Sequence, residues 1–271
     1  MRQTFFAAII LVGAILADGC QNKTTVEGNQ PEANKPVTAT SPAVGGLATV
    51  MIVSPDGVNL VASFFDAGKP NSPALLLLHQ WESDRHSYDD FAKRMQTKGF
   101  SVLAIDGRGF GESTKKTDGT TVTAGRTDAD VKAMLGDVSA AFDFLSKQKN
   151  VDSANIGIVG ASYGSSLAII YAADHPSVTA VALLSPGLNY FGNMPTSPAV
   201  TKYGKRQLYL IAGQEDKESF EAVKRLDPFD GNKVRYEQTI HPVAAHGTAL
   251  LKEGADGELD DFFSRHLNLS E

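Results

Sequence analysis

Short apolar runs alternate with amphipathic stretches over most of the chain. Apolar residues run almost without interruption at 74–78, 100–105 and 156–159, as in strands that are buried on both faces of a sheet. Helical spacing of apolar residues marks 87–98 and 128–147 between them. Further strands are predicted at 178–184, 207–212 and 234–239, and further helices at 163–173, 217–226 and 259–267. This alternation predicts an α/β fold with a mainly parallel, doubly wound sheet of about eight strands.

The region before the first buried strand has a different pattern. Two β-rich runs, 47–53 and 58–65, are separated by a Pro-Asp-Gly sequence that is typical of a turn. They predict an antiparallel N-terminal hairpin at one edge of the sheet. Between 184 and 207 the sequence contains Pro and Gly and reads as a loop, which is too short for a separate lid domain. The folded domain is expected to span 47–271.

The N-terminal segment has the pattern of an export signal. Arg2 precedes an apolar run at 5–17, which is shorter than the roughly 20 residues that a membrane-spanning helix needs. The run ends close to Cys20, which follows a small residue, and this arrangement resembles the lipid-attachment signal of bacterial lipoproteins. The resemblance implies removal of 1–19, acylation of Cys20 and a membrane-anchored location in the bacterial cell envelope, on its periplasmic or outer-membrane side. Plain secretion, with an incidental cysteine, and a buried N-terminal helix are the alternatives.

The segment that follows is predicted to be a flexible linker. Residues 20–46 are polar, rich in Pro, Thr, Asn and Gly, and have no apolar period, so they cannot bury enough surface to offset the entropy of ordering. A linker of this kind is what a domain tethered to a lipid needs.

Composition excludes several classes of function. Cys20 is the only cysteine among 271 residues, so the domain is expected to contain no disulfide and no thiolate metal site. The formal net charge of −6 argues against a nucleic-acid-binding surface. The Gly-rich stretch 107–111 lacks the dinucleotide-binding spacing, and no metal motif is present in the sequence. No cofactor is therefore expected.

One motif points to nucleophilic catalysis. Residues 160–164, Gly-Ala-Ser-Tyr-Gly, lie between a predicted strand and a predicted helix and match the pattern G-x-S-x-G. Flanking glycines relieve clashes in such a tight turn, which presents Ser162 at a helix N-terminus where backbone N–H groups favour negative charge. Ser162 is the predicted nucleophile; a capping serine in a tight turn is the structural alternative.

A serine hydroxyl needs a base, and the base needs an orienting group. With this motif the order along the chain is Ser, then acid, then His. Asp216 follows the strand at 207–212 and is the predicted acid, with Glu215 as the neighbouring alternative. His246, which precedes a glycine, is the predicted base, with His241 as the alternative.

Three longer segments extend the pattern to most of the domain: LLLLHQWESDRHSYDDFAKRM, AIDGRGFGES and GIVGASYG. With them, the chain from 47 to 267 resembles an α/β-hydrolase of the dienelactone-hydrolase-like or small carboxylesterase type. The resemblance implies a serine hydrolase that cleaves carboxylic esters, with small or short-acyl substrates favoured, through an acyl-enzyme intermediate. A peptidase or thioesterase with the same triad and a non-catalytic, membrane-anchored binding protein are the alternatives.

The same resemblance implies an oxyanion hole. One N–H would come from Tyr163, the residue after the nucleophile, and the other from Gln80 or Trp81. Glycine is usual at the position of Gln80, whose larger side chain is expected to narrow the mouth of the site. The ring of Trp81 is interpreted either as a wall of the acyl pocket or as packing under the loop.

Overall fold

An eight-stranded sheet organises residues 45–226 and 236–267, which are the residues that the computed structural model describes. The strands are β1 (Leu47–Val53), β2 (Asn59–Phe65), β3 (Ser72–Leu78), β4 (Ser101–Ile105), β5 (Val151–Ala161), β6 (Val178–Leu184), β7 (Asn189–Tyr190), β8 (Met194–Pro195), β9 (Gln207–Gly213) and β10 (Glu237–His241). The helices are α1 (Asp89–Thr97), α2 (Asp128–Ser146), α3 (Tyr163–Asp174), α4 (Thr196–Tyr203), α5 (Lys217–Leu226) and α6 (Ala255–His266). Two 3₁₀ helices, Arg85–Tyr88 and Gly247–Glu253, precede α1 and α6.

The order of the strands confirms the predicted fold class. The sheet runs β1-β2-β4-β3-β5-β6-β9-β10, and β7 pairs with β8 in a separate hairpin. β1 and β2 are antiparallel to each other, and β2 is antiparallel to β4. The remaining neighbours are parallel. The carboxyl ends of the parallel strands therefore meet at one edge, where ligands bind in open α/β sheets.

The central strands are apolar throughout because both faces of the sheet are covered. Every residue of β3 is buried. Leu76 belongs to a hydrophobic cluster that contains residues of α2 and α3, whereas Leu75 and Leu77 belong to a cluster that contains residues of α1 and α6. Since successive side chains of a strand point to opposite faces, the continuous apolar run supplies both layers of the core.

The predicted loop between 184 and 207 was wrong in part. The hairpin β7–β8 and the helix α4 occupy this stretch. Pro198 obscures the helix in the sequence, but it lies in the first turn of α4, where a backbone N–H has no intrahelical acceptor to lose. Some boundaries also differ, since α6 begins at Ala255 rather than at 259 and β5 begins at Val151 rather than at 156.

The predictions for the N-terminus lie outside the described residues. They concern the signal segment 1–19, the lipidation of Cys20 and all but the last two residues of the linker 20–46. Among residues 45–226 and 236–267, no helix combines the length and the apolar character that crossing a bilayer requires.

Candidate active site

Ser162 lies on a sharp turn between β5 and α3. Its backbone has φ 54° and ψ −123°, a conformation that a residue other than glycine rarely adopts. A Cβ at Gly160 would lie 2.2 Å from the carbonyl oxygen of Gly164. A Cβ at Gly164 would lie 2.6 Å from the carbonyl oxygen of Leu78, at the end of β3. Both glycines of the motif are therefore required by the close approach of backbone, as the sequence predicted.

The structure brings the three predicted triad residues together. His246 Nε2 lies 2.8 Å from Ser162 Oγ, and His246 Nδ1 lies 2.7 Å from Asp216 Oδ2. The hydroxyl is buried, the carboxylate side chain is 13% exposed and the imidazole is 44% exposed. A hydroxyl that is hydrogen-bonded to an imidazole can transfer its proton to the ring, and a carboxylate on the other ring nitrogen favours the imidazolium that results.

The two alternatives for the triad lie elsewhere. Glu215 has an exposed side chain, and its backbone N–H donates to the carbonyl oxygen of Val243. His241 Nε2 lies 3.1 Å from Glu258 Oε2, on α6. Neither Glu215 nor His241 takes part in the hydrogen bonds that join Asp216, His246 and Ser162, although each is close in sequence to a residue that does.

The predicted oxyanion donors flank the nucleophile. Tyr163 is the first residue of α3, where backbone N–H groups have no acceptor within the helix. Gln80 and Trp81 directly follow β3. The side chain of Gln80 turns toward the segment after the histidine, where its Oε1 accepts hydrogen bonds from Thr248 Oγ1 at 2.9 Å and from the Thr248 N–H at 3.3 Å. Gln80, at the position where glycine is usual, thus joins the loop after β3 to the loop that carries His246.

A buried histidine holds this loop from below. The backbone N–H of Gly107 donates to His79 Nε2 at 2.9 Å, and His79 Nδ1 lies 2.7 Å from the carbonyl oxygen of Gln80. Because Nε2 accepts this hydrogen bond, Nδ1 is the ring nitrogen that carries the hydrogen, and it donates a hydrogen bond to the carbonyl oxygen of Gln80. Burial lowers the pKa of His79, which favours this neutral form. His79 therefore connects the loop after β3 to the loop after β4.

Trp81 belongs to a cluster of aromatic rings. Its ring centroid lies 4.8 Å from that of Phe110, 4.8 Å from that of Phe191 and 5.3 Å from that of Tyr163, all in edge-on geometry. The indole is only partly buried. These contacts fit the packing interpretation, and the exposed part of the ring also fits the wall interpretation.

Two residues that the sequence did not point to complete the surroundings of the triad. Ser185, directly after β6, accepts a hydrogen bond on Oγ from the N–H of Gly247 at 2.9 Å. Its carbonyl oxygen accepts one from the Tyr190 hydroxyl at 3.0 Å. Burial raises the pKa of the Tyr190 phenol. Ser185 therefore connects the phenol of Tyr190 to the loop that carries His246, the proposed base.

A signal for these residues exists in the sequence but is weak. Ser185 is the first residue beyond a predicted strand at the carboxyl edge of the sheet, which is where functional side chains gather in this class of fold. Tyr190 and Phe191 form an aromatic pair in an otherwise polar stretch. Neither feature specifies the hydrogen bonds that these residues form in the fold.

Comparisons with known proteins place the chain among hydrolases. The family model described as serine aminopeptidase, S33, matches residues 69–213, which is more than half of the chain. An uncharacterized protein of Mycobacterium tuberculosis is 30% identical over 152 residues, which make up 56% of this chain and 50% of that protein. The chain therefore spans about half the length of this relative.

Solved structures resemble the fold. An esterase of Pyrococcus furiosus has a TM-score of 0.60 at 19% identity, over 82% of this chain and 92% of the esterase. A dienelactone hydrolase of Anabaena variabilis has a TM-score of 0.61 at 16% identity, over 83% of this chain and 100% of that protein. Such identities show the fold alone. Together with the family match they confirm the resemblance to α/β-hydrolases, and the chain belongs to the serine aminopeptidase S33 family of hydrolases with this fold.

Proposed function

We propose that the protein is a serine hydrolase that cleaves carboxylic esters through an acyl-enzyme intermediate. The single observation that carries the proposal is the continuous chain of hydrogen bonds from Asp216 through His246 to Ser162. Ester cleavage is favoured because structures of similar fold are described as an esterase and a dienelactone hydrolase.

In the proposed first step, His246 removes the proton of Ser162 as Oγ attacks the carbonyl carbon of the ester. The negative charge that develops on the carbonyl oxygen is stabilised by the N–H of Tyr163 and by that of Gln80 or Trp81. The imidazolium, oriented by Asp216, then gives its proton to the departing alkoxide, which leaves as an alcohol.

The second step releases the acid. Water gives a proton to His246 and attacks the acyl carbonyl, and collapse of the intermediate returns that proton to Ser162 Oγ. No cofactor takes part in this sequence. The partly exposed rings of Trp81 and Phe191 offer apolar contact to a small or short acyl group.

The decisive experiment combines an activity probe with matched substrates. A fluorophosphonate probe should label the wild-type protein, and Ser162→Ala should abolish the labelling and lower the hydrolysis of p-nitrophenyl esters by at least about 10³-fold. Ser146→Ala, at the far end of α2, is the control and should keep both. A variant Ser162→Ala that hydrolyses esters at the wild-type rate would refute the proposal.

The same assay separates the alternatives. Acyl esters, aminoacyl p-nitroanilides and thioesters of equal acyl length should be compared by kcat/KM, since a triad does not choose the leaving group. A higher kcat/KM on the anilides would assign the protein to the peptidases. A folded wild-type protein that fails to react with the probe would favour a non-catalytic binding role.

We also propose that the protein is exported and anchored by a lipid on Cys20. The support is the apolar run that ends near the only cysteine of the chain, followed by a polar segment that leads to the domain. Metabolic labelling with a palmitate analogue should depend on Cys20 and should disappear in Cys20→Ser. Labelling that persists in this variant would exclude the anchor.

A further inference from the structure

Arg126 presents an unusually placed cation at the rim of the candidate site. It directly precedes Thr127, the N-cap of α2, and its side chain is exposed. The guanidinium carbon lies 4.7 Å from the ring centroid of Trp81 and 5.0 Å from that of Phe191. Stacking on two rings holds a long and otherwise mobile side chain in one orientation.

The hydrogen-bonding capacity of this guanidinium is unused within the described part of the chain. Five other arginines donate from their guanidinium groups to protein acceptors: Arg85, Arg94, Arg108, Arg206 and Arg265. No acceptor among residues 45–226 and 236–267 takes a hydrogen bond from the guanidinium of Arg126. A cation–π contact with the face of a ring uses none of the N–H donors of the guanidinium, so they remain available to a ligand.

The nearest acidic residues in the sequence have other partners. Asp128 Oδ1 accepts from the Asn193 side-chain amide at 3.0 Å. Asp130 Oδ2 accepts from the backbone N–H of Thr127 at 2.9 Å, within the capping box of α2. Neither carboxylate forms an ion pair with Arg126, so the cation stays available to a ligand.

The rings under Arg126 lead to the nucleophile. Trp81 is a candidate oxyanion residue, and its ring contacts that of Tyr163, which follows Ser162. Phe191 follows Tyr190, whose hydroxyl donates to Ser185, the residue that is hydrogen-bonded to the loop of His246. The ring wall thus connects the guanidinium to the place where we propose that the ester bond is cleaved.

We propose that Arg126 binds a carboxylate on the acyl part of the substrate, so that the preferred substrates are half-esters of dicarboxylic acids. This inference rests on the proposed function. The planar fork of a guanidinium matches a carboxylate with two parallel hydrogen bonds. We place this carboxylate on the acyl part of the substrate rather than on the alcohol part. The reason is that the Arg126 guanidinium lies over the ring of Trp81, and Trp81 belongs to the loop that would bind the acyl oxygen. An overall charge of −6 would repel such a substrate, so recognition requires a local cation.

The test compares substrates that differ only in this charge. Mono-p-nitrophenyl esters of succinic, glutaric and adipic acid are paired with the same compounds whose free carboxylate is a methyl ester. The wild-type protein should prefer the free carboxylate by about 10- to 100-fold in kcat/KM for at least one chain length, mainly through KM. Raising the ionic strength should reduce this preference.

Variants at position 126 connect the preference to the residue. Arg126→Gln should bring the ratio of the two kcat/KM values close to one, and Arg126→Glu should reverse it. Arg126→Lys keeps the charge but loses the fork, so it should keep part of the preference. Lys205→Ala is the control, because it removes one exposed cation just before β9, at the opposite edge of the sheet, and should leave the ratio unchanged.

The outcomes separate the two proposals. A protein that hydrolyses neither member of a pair would fail the proposed function itself. A protein that hydrolyses both members equally well, or whose preference survives Arg126→Gln and Arg126→Glu, would overturn the carboxylate proposal while leaving the hydrolase proposal intact. Equal losses on both substrates in Arg126→Gln would assign Arg126 to packing of the rings and would overturn it as well.

Discussion

The two sides of the candidate site are built in different ways. On one side, the residues of the proposed triad follow the carboxyl ends of β5, β9 and β10, which belong to the eight-stranded sheet. On the other side, Tyr190 and Phe191 belong to the short hairpin β7–β8, outside that sheet. Side-chain hydrogen bonds attach this hairpin to the start of α2, such as those from Asn193 Nδ2 to the Arg126 carbonyl oxygen at 2.9 Å and to Asp128 Oδ1 at 3.0 Å. The comparison suggests that the chemistry is fixed by the core, whereas substrate choice depends on contacts that can change without unfolding the domain.

The largest effect should come from the strand-end side. We expect Asp216→Asn to lower kcat by about 10²- to 10⁴-fold, because an amide cannot stabilise the imidazolium and can favour the wrong tautomer of His246. Glu215→Gln is the matched control, since that side chain is exposed and outside the hydrogen-bond chain. Steady-state kinetics on a p-nitrophenyl ester gives the answer. If kcat fell equally in the two variants, Asp216 would not be the carboxylate that orients His246.

A smaller effect is expected where the two sides meet. Ser185→Ala removes the acceptor for the Gly247 N–H, and a buried donor left without a partner costs about 1–3 kcal/mol. We expect the free energy of unfolding to fall by about that amount, and kcat to fall roughly tenfold with little change in KM, because the loop of His246 loses its fixed position.

Denaturant unfolding and steady-state kinetics measure the two consequences of Ser185→Ala separately. Ser264→Ala, which removes a hydroxyl that donates to Asp260 on the same helix, is the control. A loss of stability with kcat unchanged would show that Ser185 supports the fold and not the position of the histidine.

The two sides also differ in how far the sequence predicts them. Ser162, Asp216 and His246 could be predicted because each follows a predicted strand. Ser162 also lies in a motif whose glycines are required by local sterics. The hairpin could not be predicted in this way. A Cβ at Gly187 would lie 2.7 Å from the ring of Tyr190, so the ring depends on a glycine whose role is visible only in the fold. Phe191 has φ 58°, which nothing in its side chain favours.

The oxyanion loop lies between these extremes. Its position after β3 follows from the order of the strands, but the contact of Gln80 with Thr248 joins residues 168 positions apart in the chain. From the local sequence alone, the side chain of Gln80 is expected to narrow the mouth of the candidate active site. Its actual partner is set by the tertiary structure, as are the ring contacts of Trp81 and Arg126.

The strand-end side should also carry a dependence of stability on pH. His79 is buried and its pKa is lowered in the folded protein, chiefly by desolvation, so the unfolded chain binds the proton more readily. The contribution of neutral His79 to the free energy of unfolding is therefore fully present above the ordinary pKa of about 6.5 and is lost as the pH falls below it, by at most about 1.4 kcal/mol between pH 7.5 and pH 5.5. Urea unfolding at the two pH values measures this change. The change should be smaller in His79→Gln, and an equal change in both proteins would exclude His79 as its source.

The smallest effect is expected on the hairpin side. Tyr190→Phe removes the hydroxyl that donates to the carbonyl oxygen of Ser185, the residue that also holds the loop of His246, but it keeps the ring in place beside Gly187. A single neutral hydrogen bond contributes about 0.5–1.5 kcal/mol, so we expect kcat/KM to fall by about two- to tenfold and the free energy of unfolding to fall by no more than about that amount. Tyr236→Phe, which loses a buried hydroxyl bonded to α4 and to Gly204, is the matched control and should lower stability without this kinetic effect. If Tyr190→Phe instead lowered kcat as much as Asp216→Asn, the phenol would belong with the proposed triad, and the division between a fixed chemical side and an adaptable substrate side would have to be abandoned.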